Sequence, residues 1–507
     1  MALDSWTNEQ VVDQLVSGYA WYGPTITYAF PTSYWRMDGE FEVYGFQPLG
    51  STAQQSAKLA ITTWDDLIEP SFTLTTSYAD IEFGFSDIDV EYAHAYYPDS
   101  GSVWFSSLYD ELAAPNIGGD SFLTYVHEIG HALGLDHMGD YNGGGDWTPS
   151  SFEDSTLLSV MSYFGPSWGF GALNGEGLVA WADWIDADGW LYSPQTPMVN
   201  DIMAIQAIYG ADPTTRTGNT VYGFGSNIGG ALANLYNFTL NRNPILAIYD
   251  AGGIDTLNLS GWTTASTIDL APGAYSSCNS MTYNIAIAYT CDIENAVGGA
   301  GHDTIRGNLL ANRLDGGAGS DLLYGMGGND VLNGGAGSDA MDGGEGSDIY
   351  LIERAADHTT AEFIDDSGSD DADNDEIRFA ATVSGTLVLS ASTNGVENVV
   401  IGTGTGASAV TTSSLTLNVN ASAVNHRLDI TGNAGNNQLT GTAFDDLLDG
   451  GAGADLLDGG LGADFLRGGK GNDTYLVDQA GDVIVEDLSA LQGGGVDLVR
   501  SALSFDL

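Results

Sequence analysis

Basic residues are scarce in this chain: 12 Lys and Arg stand against 68 Asp and Glu in 507 residues, a formal charge of −56. A surface of that sign repels nucleic acid and anionic membranes, so neither is expected as a partner. Long apolar runs are missing too. No stretch of about 18 apolar residues exists to span a bilayer. Residues 1–10 have neither the basic nor the apolar region of a cleavable export signal, which leaves three readings: an internal protein, a processed one, or one exported through another signal. Cysteine is nearly absent. Cys278 and Cys291 are not spaced like a zinc site, and they suit either one disulfide closing a short loop or two inert thiols.

What is abundant is glycine, 69 residues, about twice the ordinary share of ~7%. The glycines cluster after residue 298, so one part of the chain has special backbone needs. Hydrophobic residues at 43% and aromatics at 10% supply packed cores, and the length suggests two to four domains. Compacting so many carboxylates calls for hard divalent cations, calcium foremost.

Up to about residue 212 the text mixes helices and strands. Helices are expected over 8–17, 51–69 (Ser51 as N-cap), 122–135 and 201–209 (Asn200 as N-cap, Gly210 after it), and strands over 22–30, 79–85 and 101–105. This predicts an α+β domain. From residue 220 helical periodicity nearly vanishes. Nine-residue units of the form G-G-x-G-x-D-x-U-x begin at Gly298, Gly307, Gly316, Gly325, Gly334 and Gly343, and again at Gly432, Gly441, Gly450, Gly459 and Gly468. The acid or amide falls at Asp303, Asn312, Asp321, Asp330, Asp339 and Asp348, then at Asn437, Asp446, Asp455, Asp464 and Asp473. Two units make one coil of a parallel β-roll, which stacks equivalents 18 residues apart. Glycines such as Gly299, Gly301, Gly317, Gly319, Gly335, Gly337, Gly344, Gly346, Gly451 and Gly453 turn carbonyls inward. The carboxylates complete calcium sites between coils, weakened at Asn312 by its lower charge. Residues 352–431 lack the repeat and read as a β-rich insert. The expected division is 1–212, 213–351 (a β-sandwich lead-in and the first array), 352–431 and 432–507, with strand-like text running to Leu507 as in a truncated chain.

The most specific signal is His127-Glu128-Ile129-Gly130-His131-Ala132-Leu133-Gly134-Leu135-Asp136-His137, which matches H-E-x-x-H-x-x-G-x-x-H throughout. Four residues apart on a helix, His127 and His131 share a face. Gly134 permits the turn that returns His137 to the same ion. Three neutral histidines hold zinc and leave a position for water. The metal acidifies that water and polarises the scissile carbonyl, and Glu128 takes its proton as general base. Downstream, S-V-M-S-Y puts Met161 in a Met-turn beneath the metal. Tyr163 stands as an extra ligand or a donor to the oxyanion.

Together with the zinc motif and the Met-turn, the segments D-Y-N (140–142), D-I-M-A-I-Q-A-I-Y-G-A-D and T-T-R-T-G-N-T-V-Y-G-F make the chain resemble the serralysin family over about residues 5–350. These are secreted bacterial metzincins with calcium-binding RTX repeats. The resemblance implies an α+β metzincin domain followed by an all-β parallel roll. It implies zinc on His127, His131 and His137, with Glu128 as base and Tyr163 as ligand or oxyanion donor. It implies cleavage of protein or peptide substrates, export by type I secretion machinery, and a small proteinaceous inhibitor as a partner. It adds calcium sites before the roll, one from Arg216, Gly218, Thr220, Asp250, Gly252 and Asp255, another from Gly253, Asp255, Asp292 and Glu294, with Asp292 where the family usually has Thr. Departures are Met138 in place of the usual Pro, a Trp-rich stretch at 164–199, the two cysteines, and the 352–431 insert with its second array. The competing reading is a calcium-dependent cell-surface or adhesion scaffold whose protease domain is inactive. The intact Glu128 and histidines weigh against it.

Overall fold

Thr7 opens the first helix with a reciprocal cap. Its hydroxyl accepts from Gln10 N at 3.3 Å, while the Gln10 side chain accepts from Thr7 N at 2.9 Å. Helix α1 (Asn8–Leu15) then buries Val11 and Leu15, one i, i+4 face. The computed structural model describes residues 3–139, 141, 148–165, 179–358, 362–368, 373–486, 488–489 and 492–501. Where the sequence suggested four segments, the chain forms two compact units: Met1–Asn258 with Pro272–Ile293, and Leu259–Ala271 with Glu294–Leu507.

In the first unit, strands β1 (Thr25–Ala29), β2 (Ser71–Leu74), β3 (Ile81–Ser86), β4 (Ala93–Ala95) and β5 (Ser102–Ser106) lie in the order β2-β1-β3-β5-β4. The pairs are parallel except at the β4 edge, which runs antiparallel to β5. Every residue of β3 and β5 is buried, as parallel strands covered on both faces require. Helix α2 (Ser51–Asp65) is locked to helix α3 (Asp120–Ala132) by Trp64, whose indole N–H donates to Val126 O at 3.1 Å. Helix α2 stops four residues short of the expected end, because the Asp65 carboxylate accepts from Phe72 N at 2.8 Å and turns the chain into β2. Its cap is Gly50 rather than Ser51. Helix α4 (Val199–Tyr209) ends at Gly210 in the left-handed region, φ 82°. Cys278 and Cys291 are buried and not joined to each other, which decides for thiols. Among the described residues no helix is long and apolar enough to cross a membrane.

In the second unit ten parallel strands follow one another: Asn295–Val297, Arg313–Asp315, Val331–Asn333, Ile349–Ile352, Glu376–Phe379, Asn398–Ile401, Asp429–Thr431, Leu447–Asp449, Phe465–Arg467 and Val483–Val485. Two six-stranded parallel ladders serve alternate half-coils. One runs from Thr267–Asp269 to Thr393–Asn394, the other from Gly385–Val388 to Leu498–Ser501. The apolar position of each repeat points inward: Ile305, Leu314, Leu323, Leu332, Met341 and Tyr350, then Leu439, Leu448, Leu457, Leu466 and Tyr475, are all at most 1% exposed. The parallel roll and its repeat register are as expected. Residues 352–431 leave the ten-strand ladder unbroken, while the ladder of the other half-coil changes over within them, one ending at Thr393–Asn394 and the next starting at Gly385–Val388. Their strands carry Ile364, Ile377, Phe379, Val399, Ile401 and Val419 into the same core, because inward apolar residues rather than glycines decide where a strand can join. Only the connections lengthen.

Candidate metal centre

The end of α3 explains how three distant histidines meet. Gly134 has φ 102°. A Cβ there would fall 2.2 Å from Tyr19 O, so only glycine makes this turn. The returning chain is held by Asp136, whose N–H donates to Leu15 O at 2.7 Å and whose carboxylate accepts from the Tyr97 hydroxyl. His137 thus arrives with Nε2 3.2 Å from His127 Nε2 and 3.1 Å from His131 Nε2.

The opposite ring nitrogens are tethered. His127 Nδ1 lies 2.7 Å from Val160 O, and His131 Nδ1 lies 2.7 Å from Leu135 O. A carbonyl only accepts, so each Nδ1 carries the proton and each Nε2 presents a lone pair. Lone pairs facing one another this closely need a cation between them. Burial, then the neighbouring imidazoles, pushes His127 down to about 3 and His131 well below its usual value. Three neutral imidazoles fit zinc. Among the described residues this is the one histidine group that offers a metal three ligand atoms.

Glu128 is 5% exposed, and its Oε2 has no hydrogen-bond partner. Burial pushes its carboxyl up to about 8. Tyr163 packs its ring against His127 and His137, with centroids at 5.6 and 4.5 Å. Burial, then the Glu128 charge, pushes its hydroxyl up to about 12. Met161 is fully buried, and a Cβ on Gly130 would fall 2.7 Å from its Sδ. The glycine inside the zinc motif therefore makes room for the methionine.

Sequence reasoning missed Asp201. Its carboxylate accepts from Ser159 Oγ at 2.6 Å, Val160 N at 2.7 Å and Met198 N at 2.8 Å. It thereby fixes both the Met-turn and the carbonyl that orients His127. The available signal was an acid in the first turn of an otherwise apolar helix. Asp140, Asn142 and Trp168 lie outside the described residues. Of the other Trp in that stretch, Trp184 joins a buried cluster with Leu157 and Ile245, while Trp190 is exposed.

Farther along the first unit, Thr220 N donates to Asp255 Oδ1 at 2.7 Å and Gly252 N to Asp250 Oδ1 at 3.0 Å. A Cβ on Gly253 would fall 2.6 Å from Gly218 O and 2.8 Å from Asp255 Oδ1. The structure gathers these residues. The Arg216 guanidinium is engaged by Asp66 and Tyr249 O, which leaves its main chain for a metal. Asp292 is exposed, and Glu294 is half-buried at the start of the second unit.

In the arrays one rule recurs. Within each array the backbone N–H at the acid or amide position donates to Oδ1 of the aspartate 18 residues on: Asp303 to Asp321 at 2.8 Å, Asp321 to Asp339 at 2.9 Å, Asn312 to Asp330 and Asp330 to Asp348 at 2.7 Å. Asn437, Asp446 and Asp455 repeat it on Asp455, Asp464 and Asp473. Oδ2 of Asp321, Asp330, Asp339, Asp348, Asp455 and Asp473 is left buried with no partner. Carboxylate oxygens so placed between turns of inward carbonyls fit calcium. Asn312 differs. Its Oδ1 accepts from Asn308 N at 2.7 Å, and its Nδ2 donates to Glu294 O at 2.9 Å and to Asn308 Oδ1 at 3.0 Å. The amide is satisfied by the protein. A further carboxylate group joins Asp348 of the first array to Asp366 and Asp375 from the stretch that follows it.

A family model described as peptidase M10 serralysin C terminal matches residues 211–492. Serralysin G of Dickeya chrysanthemi is 34% identical over 338 residues, covering 61% of this chain and 66% of that protein. Metalloprotease AprA of Pseudomonas entomophila gives the same figures. Serralysin A of Dickeya chrysanthemi is 38% identical over 276 residues, 52% of this chain and 54% of that protein. The chain thus spans less than two thirds of the length of these curated relatives. With the family model matched over more than half of its residues, the chain belongs to the serralysin family.

Proposed function

We propose that this protein is a secreted zinc-dependent endopeptidase stabilised by calcium. The observation that carries this reading is the convergence of three Nε2 atoms, with Glu128, next in sequence to the first of those histidines, keeping its Oε2 buried without a partner. An inactive scaffold has no use for that combination. His127, His131 and His137 would hold zinc, which when bound supplies Lewis acidity toward a peptide carbonyl and acidity to a water. Glu128 accepts the proton of the attacking water and hands it to the leaving amine. Tyr163 donates to the oxyanion or adds a ligand. Asp201 and Met161 hold the histidines in place. Protein substrates, type I export and a small proteinaceous inhibitor follow from the family and belong to the same proposal.

Cleavage of casein or a fluorogenic peptide in calcium, with zinc measured by atomic spectroscopy, tests it. Wild type should cleave with about one zinc per chain, and Glu128→Ala should keep the zinc and lose at least about 100-fold in rate. A wild type that binds no zinc would sink the reading.

A further inference from the structure

A helix leaves its last carbonyls without partners, and one that ends inside a site has to find donors for them. At the end of α3 the carbonyls of Ile129, Gly130 and His131 are closed locally, each at 2.9 Å, by the N–H groups of Leu133, Leu135 and Gly134. The carbonyls that follow are closed from far away. Trp21 Nε1 donates to Ala132 O at 2.8 Å, and the Tyr209 hydroxyl to Leu133 O at 2.8 Å. Ser17 donates twice to Gly134 O, from its N–H at 3.1 Å and from its hydroxyl at 2.7 Å. Gln14 Nε2 reaches His137 O at 3.0 Å.

Three of these donors, Gln14, Ser17 and Trp21, stand in one short stretch, 111 to 123 residues before the carbonyls they meet. Within it Val16 bridges Leu135 in antiparallel fashion, and Leu15 O takes the Asp136 N–H. The stretch therefore lies along the turn from Ala132 to His137 and grips it at successive residues. The stretch itself is anchored. Trp21 N donates to the Tyr209 hydroxyl at 3.1 Å, and α1, which ends at Leu15, packs on α4. That helix carries Asp201, which holds the carbonyl orienting His127.

The three histidines are thus placed by unequal means. His127 and His131 ride on a helix whose own hydrogen bonds fix their spacing. His137 rides on the turn, and its position is only as definite as whatever holds that turn. We propose that Gln14–Trp21 is a clasp that sets the position of the third metal ligand, with Gln14 and Ser17 as positioning residues for a reaction that neither of them touches. This rests on the zinc reading given above.

The test uses the full chain in calcium. Zinc affinity is read by competition with a zinc-selective dye, and kcat and KM on a fluorogenic peptide at saturating zinc. Gln14→Ala with Ser17→Ala is compared with wild type and with Gln54→Ala, which removes a bond of the same kind at the start of α2, Gln54 Nε2 to Leu49 O at 2.9 Å. Removing an outer support of a metal ligand costs about 10–100-fold in affinity. The double variant should therefore bind zinc at least about tenfold more weakly, with kcat lowered and KM unchanged, while Gln54→Ala and the hydroxyl-keeping Ser17→Thr stay close to wild type. Equal zinc affinity in the double variant and wild type overturns the clasp, even if the variant melts at a lower temperature. So does an equal loss in Gln54→Ala, which would mark general destabilisation. Should the double variant fail to fold, Gln14→Ala alone decides by the same measurement, since that side chain is only half-buried. A wild type that holds no zinc is a separate result, which overturns the functional reading and the clasp with it.

Discussion

Two ways of neutralising one ladder lie side by side in the second unit. In the nonapeptide arrays six aspartates leave a buried carboxylate oxygen without a donor, and a cation from solution would neutralise them. Between the arrays the chain supplies its own. Arg378 is 0% exposed, and its guanidinium grips both oxygens of Glu376 at 2.6 and 2.9 Å. It also donates to Gly404 O at 3.0 Å and Gly406 O at 2.7 Å, closing a long connection. The strands on either side share one ladder and one apolar core. The comparison teaches that the parallel ladder itself makes no demand for a cation; on the function proposed above, that demand comes from the unpaired aspartates.

The bluntest way to break this comparison is to remove calcium. In chelator, amide exchange should show residues 298–350 and 432–477 losing protection by orders of magnitude, with a large loss of β signal in circular dichroism. Unchanged β content would mean that the carboxylates need no cation. pH sharpens the same point. Burial, then neighbouring aspartates, pushes Asp330 up to about 8 and Asp455 up to about 7, from an ordinary 3.8. Acids raised in the folded state contribute stability that is present below their unfolded pKa and lost as pH climbs through the folded value. Calcium-free arrays should therefore be most stable near about pH 4 and weaken progressively to about pH 8. Calcium, which binds the ionised form, should reverse the trend in thermal melts.

Arg378→Ala should cost about 3–5 kcal/mol even at saturating calcium, because it leaves Glu376 and two carbonyls uncompensated. Denaturant unfolding at several calcium concentrations measures this. A cost that added calcium abolishes would erase the distinction between the two regions. The smallest effect is expected at Asn312→Asp, which converts a satisfied amide into an array carboxylate. Without calcium it should destabilise by about 1–3 kcal/mol, and the deficit should shrink as calcium is added.

How much could be read from the sequence follows from the range of each interaction. The histidine triad was legible because its spacing encodes a helix face and one glycine turn, all within eleven residues. The nonapeptides were legible because repetition displays their register. Asp201 was not, since its partners Ser159 and Val160 lie about forty residues away. Arg378 carries no such signal, because Gly404 and Gly406 lie 26 and 28 residues further along the chain. The stretch 352–431 looked like a separate insert because it lacks the glycines, yet alternating apolar residues were enough to keep it in the ladder. The end of α2 was missed because the Asp65 carboxylate, bound to Phe72 N, ends it four residues before the expected position.

The hydrogen bonds from each repeat acid to the aspartate 18 residues later set a rule for changes in length. Removing 18 residues deletes one whole coil and returns every downstream strand to the ladder it left. Removing nine hands each of those strands to the opposite ladder and turns all that follows by half a coil. Because every repeat stabilises mainly its neighbours, the roll can lengthen or shorten by duplication and loss of whole turns while the zinc domain ahead of it stays unaltered.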